Sequence, residues 1–211
     1  MTEKLQDQGR AFQPHAEPLR LVLASGSASR ARMLAAAGVE FIKAPADIDE
    51  AALMPADGDA AAAALALAGL KALSVSEYRP GALVLGADSI LDFAGERIGK
   101  SPDAAAAKAL LTRLSGRTHR IVSAAVLVRD GTVVWRHVGE GALTMRPCSE
   151  AFLDAYLAAQ APAVLASVGC YHLEERGAQL FDRIEGDFFS ILGLPLIAVL
   201  AALREQGVLQ S

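Results

Sequence analysis

The chain has 211 residues, 53% of them apolar and 21% charged, and a formal net charge of −4. That is enough for one domain, or for two lobes sharing a core, and too apolar for disorder to be the expectation. The acidic balance excludes the broad positive field of a duplex-DNA binder, so no nucleic-acid partner is expected; a small anion held by a few local basic groups is still allowed.

Residues 1–18 are polar, carry Pro14 and Pro18, and read as a loose leader before a domain over 19–211. They hold no apolar core of signal-peptide type. The low-polarity runs 60–70 and 194–203 fall well short of the ~20 residues that span a bilayer. No membrane partner and a cytoplasmic location are expected. Cys148 and Cys170 form no CxxC pair, so free thiols in a reducing compartment are expected.

Residues 20–24 read as a buried strand, and a Ser-Gly-Ser-Ala-Ser segment follows. A helix is expected over 30–37, capped by Ser27 or Ser29 and stopped by Gly38. A second strand is expected at 41–44, then an acidic loop, Asp47-Ile-Asp-Glu50. The Ala- and Leu-rich run 59–74 is a helix by propensity, ended by Pro80-Gly81. Residues 82–87 read as a central strand with Asp88 at its C-terminal end. Residues 90–93 and 96–98 flank Ala94-Gly95 as a hairpin. Ser101-Pro102-Asp103 starts a helix that runs to Leu114. Asp130-Gly131, between 119–128 and 132–138, is the strongest hairpin signal. Ser149 caps a helix to Ala159. Residues 164–168, 171–173 and 179–184 are short strand candidates, and Phe188-Phe189 reads as core. The last helix is expected over 195–204. Interleaved helices and strands, interrupted by two hairpins, predict a mixed, partly antiparallel sheet flanked by helices on both faces.

Several residues in this frame can carry chemistry. Ser25, Ser27, Ser29 and Arg30 stand at a helix N-terminus, where unpaired N–H groups and the dipole favour an anion such as phosphate; the competing reading is a plain helix cap. Asp88 ends a strand, where α/β proteins bind ligands and a carboxylate can hold a divalent metal or activate water; it can equally cap a turn. Lys100 sits between Gly99 and a helix start, and Lys71 near a helix end, where it also complements the dipole. In the C-terminal third, Arg183 and Glu185 share one strand face, as an ion pair would. No histidine pair has metal-ligand spacing.

The order of these segments resembles the Maf family of nucleoside triphosphate pyrophosphatases. The matching residues are Leu23-Ala-Ser-Gly-Ser-Ala-Ser-Arg30, Asp47-Ile-Asp-Glu50, Leu85-Gly-Ala-Asp-Ser89, Gly99-Lys100, Leu114-Ser-Gly-Arg-Thr-His119, Gly169-Cys-Tyr171, Phe181-Asp-Arg-Ile-Glu-Gly186 and Gly193-Leu-Pro195. The resemblance implies an ITPase-like two-lobed α/β fold with a central cleft. It implies hydrolysis of a nucleoside triphosphate to monophosphate and pyrophosphate, aided by Mg²⁺ or Mn²⁺. By family position Asp88 activates water, Ser27, Arg30, Lys71 and Lys100 bind substrate, and Glu50 joins Asp88 at the metal. Ser29, Ser89 and Glu174 fall on the base-reading positions. Here Ala28 and Ser29 replace the family's usual Pro-Arg, and Ser89 replaces a common Thr. Glu174 stands where the dTTP/UTP subgroup has Gln and a 7-methyl-GTP-preferring relative has Glu. A carboxylate there accepts from the N–H groups of a guanine edge, which leans the reading to a purine or modified purine. The alternative is a nucleotide-sensing regulator of cell division (septum formation) with little catalysis. The oligomeric state stays open, with a homodimer as one expectation.

Overall fold

The computed structural model describes residues 20–50, 52–54 and 59–210; the expected leader over 1–18 lies outside them. Among the described residues the elements are β1 (Leu21–Leu23), α1 (Ala28–Ala36), β2 (Ile42–Lys43), α2 (Ala60–Ser76), β3 (Leu83–Phe93), β4 (Glu96–Ile98), α3 (Ala104–Leu114), β5 (Thr118–Arg129), β6 (Thr132–Met145), α4 (Glu150–Gln160), β7 (Phe181–Gly186), α5 (Phe188–Ile191) and α6 (Leu196–Glu205). Single 3₁₀ turns at Ala163–Ala166 and Arg176–Leu180 lie between α4 and β7. The strands form one sheet in the order β2-β1-β3-β5-β6-β7, with β4 added to β3. β1 runs parallel to β2 and β3, and the other pairings are antiparallel. This is the mixed sheet with helices on both faces that the interleaved pattern predicts.

Strand period decides which helix covers which residue. Even-numbered Val84 and Ile90 of β3 pack into a cluster with the Ala-rich face of α2. That face is formed by Ala60, Ala63, Ala64, Leu67, Ala68, Lys71, Ala72 and Val75, at i, i+3, i+4 spacing. Alanine keeps the helix close to the sheet. At Gly86 the approach is tight enough that a Cβ would run into the Ala68 carbonyl oxygen and stand 2.8 Å from the Ala72 nitrogen.

Odd-numbered residues face the other way and divide between two clusters. Leu83, Leu85 and Ala87 pack with Met33 and Leu34 of α1 and Val199, Ala202 and Leu203 of α6. Leu91 and Phe93 pack with Leu110, Leu111 and Leu114 of α3 and Leu153, Tyr156 and Leu157 of α4. Ser89, and Ser123 directly opposite it on β5, fall between the two clusters. A polar seam therefore parts two apolar lobes on one face of a continuous sheet. No helix among the described residues is long and apolar enough to cross a membrane.

Several local expectations are corrected. Asp88 does not end a strand. Its strand continues to Phe93 because β5 pairs with it without a break from Leu83↔Arg129 to Asp92↔Arg120. α3 is capped by Asp103, whose carboxylate accepts from the Ala106 N–H at 2.8 Å, and not by Ser101. Residues 164–168 and 171–173 are not strands. The first folds largely into the 3₁₀ turn, and the positive φ of 56° at Cys170 breaks the extended path before the second. Short apolar runs carry no period that could have told these apart. Phe188 is exposed, while its neighbour Phe189 packs on the α1–α6 cluster.

Candidate functional site

The site forms where β3 loses its neighbours on one edge. β1 pairs only with Leu83–Leu85, and β4 only with Leu91–Phe93. Between them the edge opens into a notch, and Asp88 and Ser89 stand at its centre. Being consecutive on a strand, they point to opposite faces of the sheet.

Asp88 points to the α2 side. It is 6% exposed, and its Oδ1 accepts from Lys71 Nζ at 2.6 Å. Lys71 is also buried, on the sheet-facing row of α2, about one and a half turns before the helix ends at Ser76. It is therefore not the solvated helix-end lysine of the dipole reading. Its ammonium also meets Glu50 Oε1 at 2.8 Å, and Lys100 Nζ approaches Glu50 Oε2 at 3.7 Å. Burial pushes the Glu50 carboxyl up, but Lys71, Lys100 and Arg30 together outweigh it and hold the group below the ordinary carboxylate range. Asp88 Oδ2 accepts no hydrogen bond among the described residues.

Ser89 points to the α1 side, toward the polar seam. Arg30 is 8% exposed, and each nitrogen of its guanidinium donates one hydrogen bond. Nε donates to the Gly193 carbonyl at 2.7 Å, Nη1 to Ser25 Oγ at 3.0 Å and Nη2 to Ser89 Oγ at 2.9 Å. Ser123 Oγ donates to the Ser190 carbonyl at 2.6 Å, so the Ser89 hydroxyl, 2.8 Å away, is its donor. The result is a chain from Arg30 through Ser89 and Ser123 to Ser190, with the Gly193 carbonyl, 3.3 Å from Ser89 Oγ, as a second acceptor for the Ser89 hydroxyl. It ties α1, β3, β5 and α5 together. Burial lowers the Arg30 pKa, with Asp88 and Glu50 acting in the opposite direction; a guanidinium stays charged regardless.

α1 begins beside this chain. Ser27 is its N-cap and accepts from the Arg30 N–H at 3.4 Å, while Ser25 Oγ accepts from the Ser27 N–H at 3.3 Å. The backbone N–H groups of Ala28 and Ser29 make no hydrogen bond among the described residues. These are the unpaired first-turn donors that favour an anion.

Glu174 and Ser29 meet at the rim, with Ser29 Oγ 3.3 Å from Glu174 Oε1. Arg32 joins them, 3.0 Å from Glu174 Oε1 and 3.6 Å from Glu175 Oε1. Ser89, grouped with these two by family position, instead sits inward with Arg30. Asp88, Glu50, Lys71 and Lys100 thus form one cluster, and Ser25, Arg30 and Ser89 a second one back to back with it. Ser123, Ser190 and Arg32 were not singled out from sequence. A serine interrupting the apolar run 121–128 is the signal that marks Ser123; nothing comparable marks Arg32.

The donors available to a metal are oxygens, from Glu50 and Asp88. No group of three or more His, Cys, Asp or Glu gathers among the described residues. The set is too small for an all-protein cage. It suits Mg²⁺ or Mn²⁺, which take one or two carboxylates and complete the shell with substrate phosphates and water.

Fold and site together define a class: an α/β protein with a carboxylate–ammonium cluster in a sheet notch, beside a helix N-terminus open to an anion. A family model described as Maf-like protein matches residues 20–206, and the chain belongs to that family. A 7-methyl-GTP pyrophosphatase of Mesorhizobium japonicum is 49% identical over 196 residues, covering 91% of this chain and 98% of the relative. A nucleoside triphosphate pyrophosphatase of Paramagnetospirillum magneticum is 50% identical over 192 residues, covering 89% and 99%. Among solved structures, a HAM1 protein from Coxiella burnetii is 19% identical with a TM-score of 0.40, over 60% of this chain and 73% of that one.

Proposed function

We propose that the chain hydrolyses the α–β phosphoanhydride of a nucleoside triphosphate, releasing nucleoside monophosphate and pyrophosphate, in the cytoplasm. The observation that carries this is the notch itself. It gathers a buried carboxylate with one open oxygen, two lysines and a helix N-terminus with unpaired donors around one strand edge. The relatives named as pyrophosphatases over nearly their whole length support the same reading.

Phosphoanhydride cleavage asks for positioning and charge neutralisation more than for covalent work. Asp88 Oδ2 accepts a proton from the attacking water, whose oxygen forms the new bond to the α-phosphorus. The bond from that phosphorus to the bridging oxygen breaks, and pyrophosphate leaves with the electron pair. Lys71 holds the other Asp88 oxygen before substrate binds. Lys100 and the first turn of α1 at Ser27 bind phosphate. Arg30 serves through Ser25 and Ser89, holding the loop and the strand in register. Glu50 and Asp88 would hold a divalent cation, which would neutralise further charge on the phosphates.

For the base, we favour a purine or modified purine, with 7-methyl-GTP the leading candidate. Glu174 presents a carboxylate at the rim, oriented by Ser29 and Arg32. Such a group accepts from ring N–H donors and suits a cationic methylated base.

The test is pyrophosphate release from a panel of canonical and methylated nucleotides with Mg²⁺ or Mn²⁺. Asp88→Asn keeps the shape of the side chain and loses ~10²–10⁴-fold in turnover if Asp88 is the base. Full activity of that variant would remove Asp88 from this role. Nucleotide-dependent thermal stabilisation with no pyrophosphate release from any substrate would replace hydrolysis by nucleotide sensing.

A further inference from the structure

Lys71 is the one charged residue on an otherwise apolar helix face. Ala64, Leu67, Ala68, Ala72 and Val75 surround it on α2, and its side chain is 7% exposed. Its ammonium lies between Asp88 Oδ1 and Glu50 Oε1, at 2.6 and 2.8 Å. A compact positive charge between two carboxylates is the arrangement a divalent cation bound by the same oxygens would take. We infer that Lys71 is a built-in counter-ion that keeps Glu50 and Asp88 closed to a metal until nucleotide arrives, so that metal and nucleotide bind as a coupled pair. This rests on the reading of Glu50 and Asp88 as metal ligands.

Charge around the notch supports it. Arg30, Lys71 and Lys100 already outnumber Glu50 and Asp88 by one, and all five interact electrostatically. A dication entering alone would raise the excess positive charge to three in a site partly shielded from water, where repulsion is strong. The triphosphate chain of a nucleotide reverses that balance. The geometry also separates the cations by mobility. Arg30 is pinned by three hydrogen bonds, whereas Lys71 carries its charge on a flexible four-carbon stem with three donors, two of them used here. On release from the carboxylates, the Lys71 ammonium can turn to a phosphate oxygen.

The experiment measures binding, not turnover. Mn²⁺ is titrated into the full chain, with free Mn²⁺ read by electron paramagnetic resonance, in the presence and absence of a triphosphate whose α–β bridge is methylene. The wild type is expected to bind Mn²⁺ alone at least tenfold more weakly than with the analogue. Lys71→Met is expected to bind Mn²⁺ alone at least tenfold more tightly than the wild type. Lys71→Arg, which keeps the charge, is expected to bind it as weakly as the wild type. Equal Mn²⁺ affinity in the wild type and a folded Lys71→Met overturns the inference. So does tight Mn²⁺ binding by Lys71→Arg, which decides the matter if the Met variant does not fold. Asp88→Asn and Glu50→Gln separate the underlying reading. If neither weakens Mn²⁺ binding in the presence of the analogue, those residues are not the ligands and the inference falls with that assignment.

Discussion

Acid stability tests the interior of the α3–α4 lobe through a single residue. His119 is the second residue of β5, is 2% exposed, and packs against Tyr171 and Phe181. Its Nε2 lies 2.7 Å from Tyr171 Oη, and its Nδ1 has no partner among the described residues. Protonation would therefore place an N–H where no acceptor waits. Burial lowers the imidazole from 6.5 to about 4. The sign follows from proton counting. As pH falls through 6.5 the unfolded chain takes up a proton that the folded chain refuses until about pH 4, so stability is full above 6.5 and declines across that window. Between neutral pH and about pH 4.5 the loss from this residue comes to roughly 2–3 kcal/mol, at about 1.4 kcal/mol per unit. Urea unfolding followed by circular dichroism, at intervals from pH 7.5 to 4.5, measures it. His119→Gln keeps a hydrogen-bonding group toward Tyr171 and does not titrate. Its stability should fall less steeply with pH than that of the wild type, by that amount over the range. Carboxylates contribute equally to both proteins and cancel in the comparison. Parallel curves for the two would show that His119 is not held neutral by burial.

Two further outcomes follow from the packing and the rim. Gly86→Ala drives a methyl into the α2 backbone at Ala68 and Ala72, and overpacking of this kind costs about 1–3 kcal/mol; a melting curve should show it, with activity falling too as Lys71 is lifted from Asp88. Glu174→Gln exchanges an acceptor-only group for one with donors and removes the ion pair to Arg32. The ratio of kcat/KM for 7-methyl-GTP over UTP should drop about tenfold or more, a change of roughly 1.4 kcal/mol in discrimination, while kcat for the better substrate stays within a few-fold. An unchanged ratio would take Glu174 out of base reading.

Much of this was legible in the sequence because it is written locally. Ser27 caps α1, Ser149 caps α4 and Asp130-Gly131 turns the β5–β6 hairpin, since each depends on a few neighbouring residues. The order of short motifs pointed to Asp88, Glu50, Lys71 and Lys100, and the fold gathers them at one strand edge. What was not legible depends on distant partners. Lys71 looked like a helix-end lysine, because only its burial against β3 reveals the contact with Asp88. Asp88 looked like a strand terminus, because the missing information was the unbroken pairing with β5. Arg32 carried no sign of its link to Glu174, which lies 142 residues away. The 3₁₀ turn at 163–166 passed for part of a strand because an apolar run that short fits either.

The placement of Asp88 and Ser89 on successive positions of β3 constrains how this protein can change. A strand admits no independent adjustment of neighbours. Slipping β3 by one residue would turn Asp88 away from Lys71 and Ser89 away from Arg30 in the same stroke. The two side-chain clusters are thus locked to a common register, and an insertion anywhere between Leu83 and Asp88 would disturb both. Ser29, Arg32 and Glu174 stand on a helix and a loop, free of that register. The rim can therefore change one residue at a time, and the strand cannot.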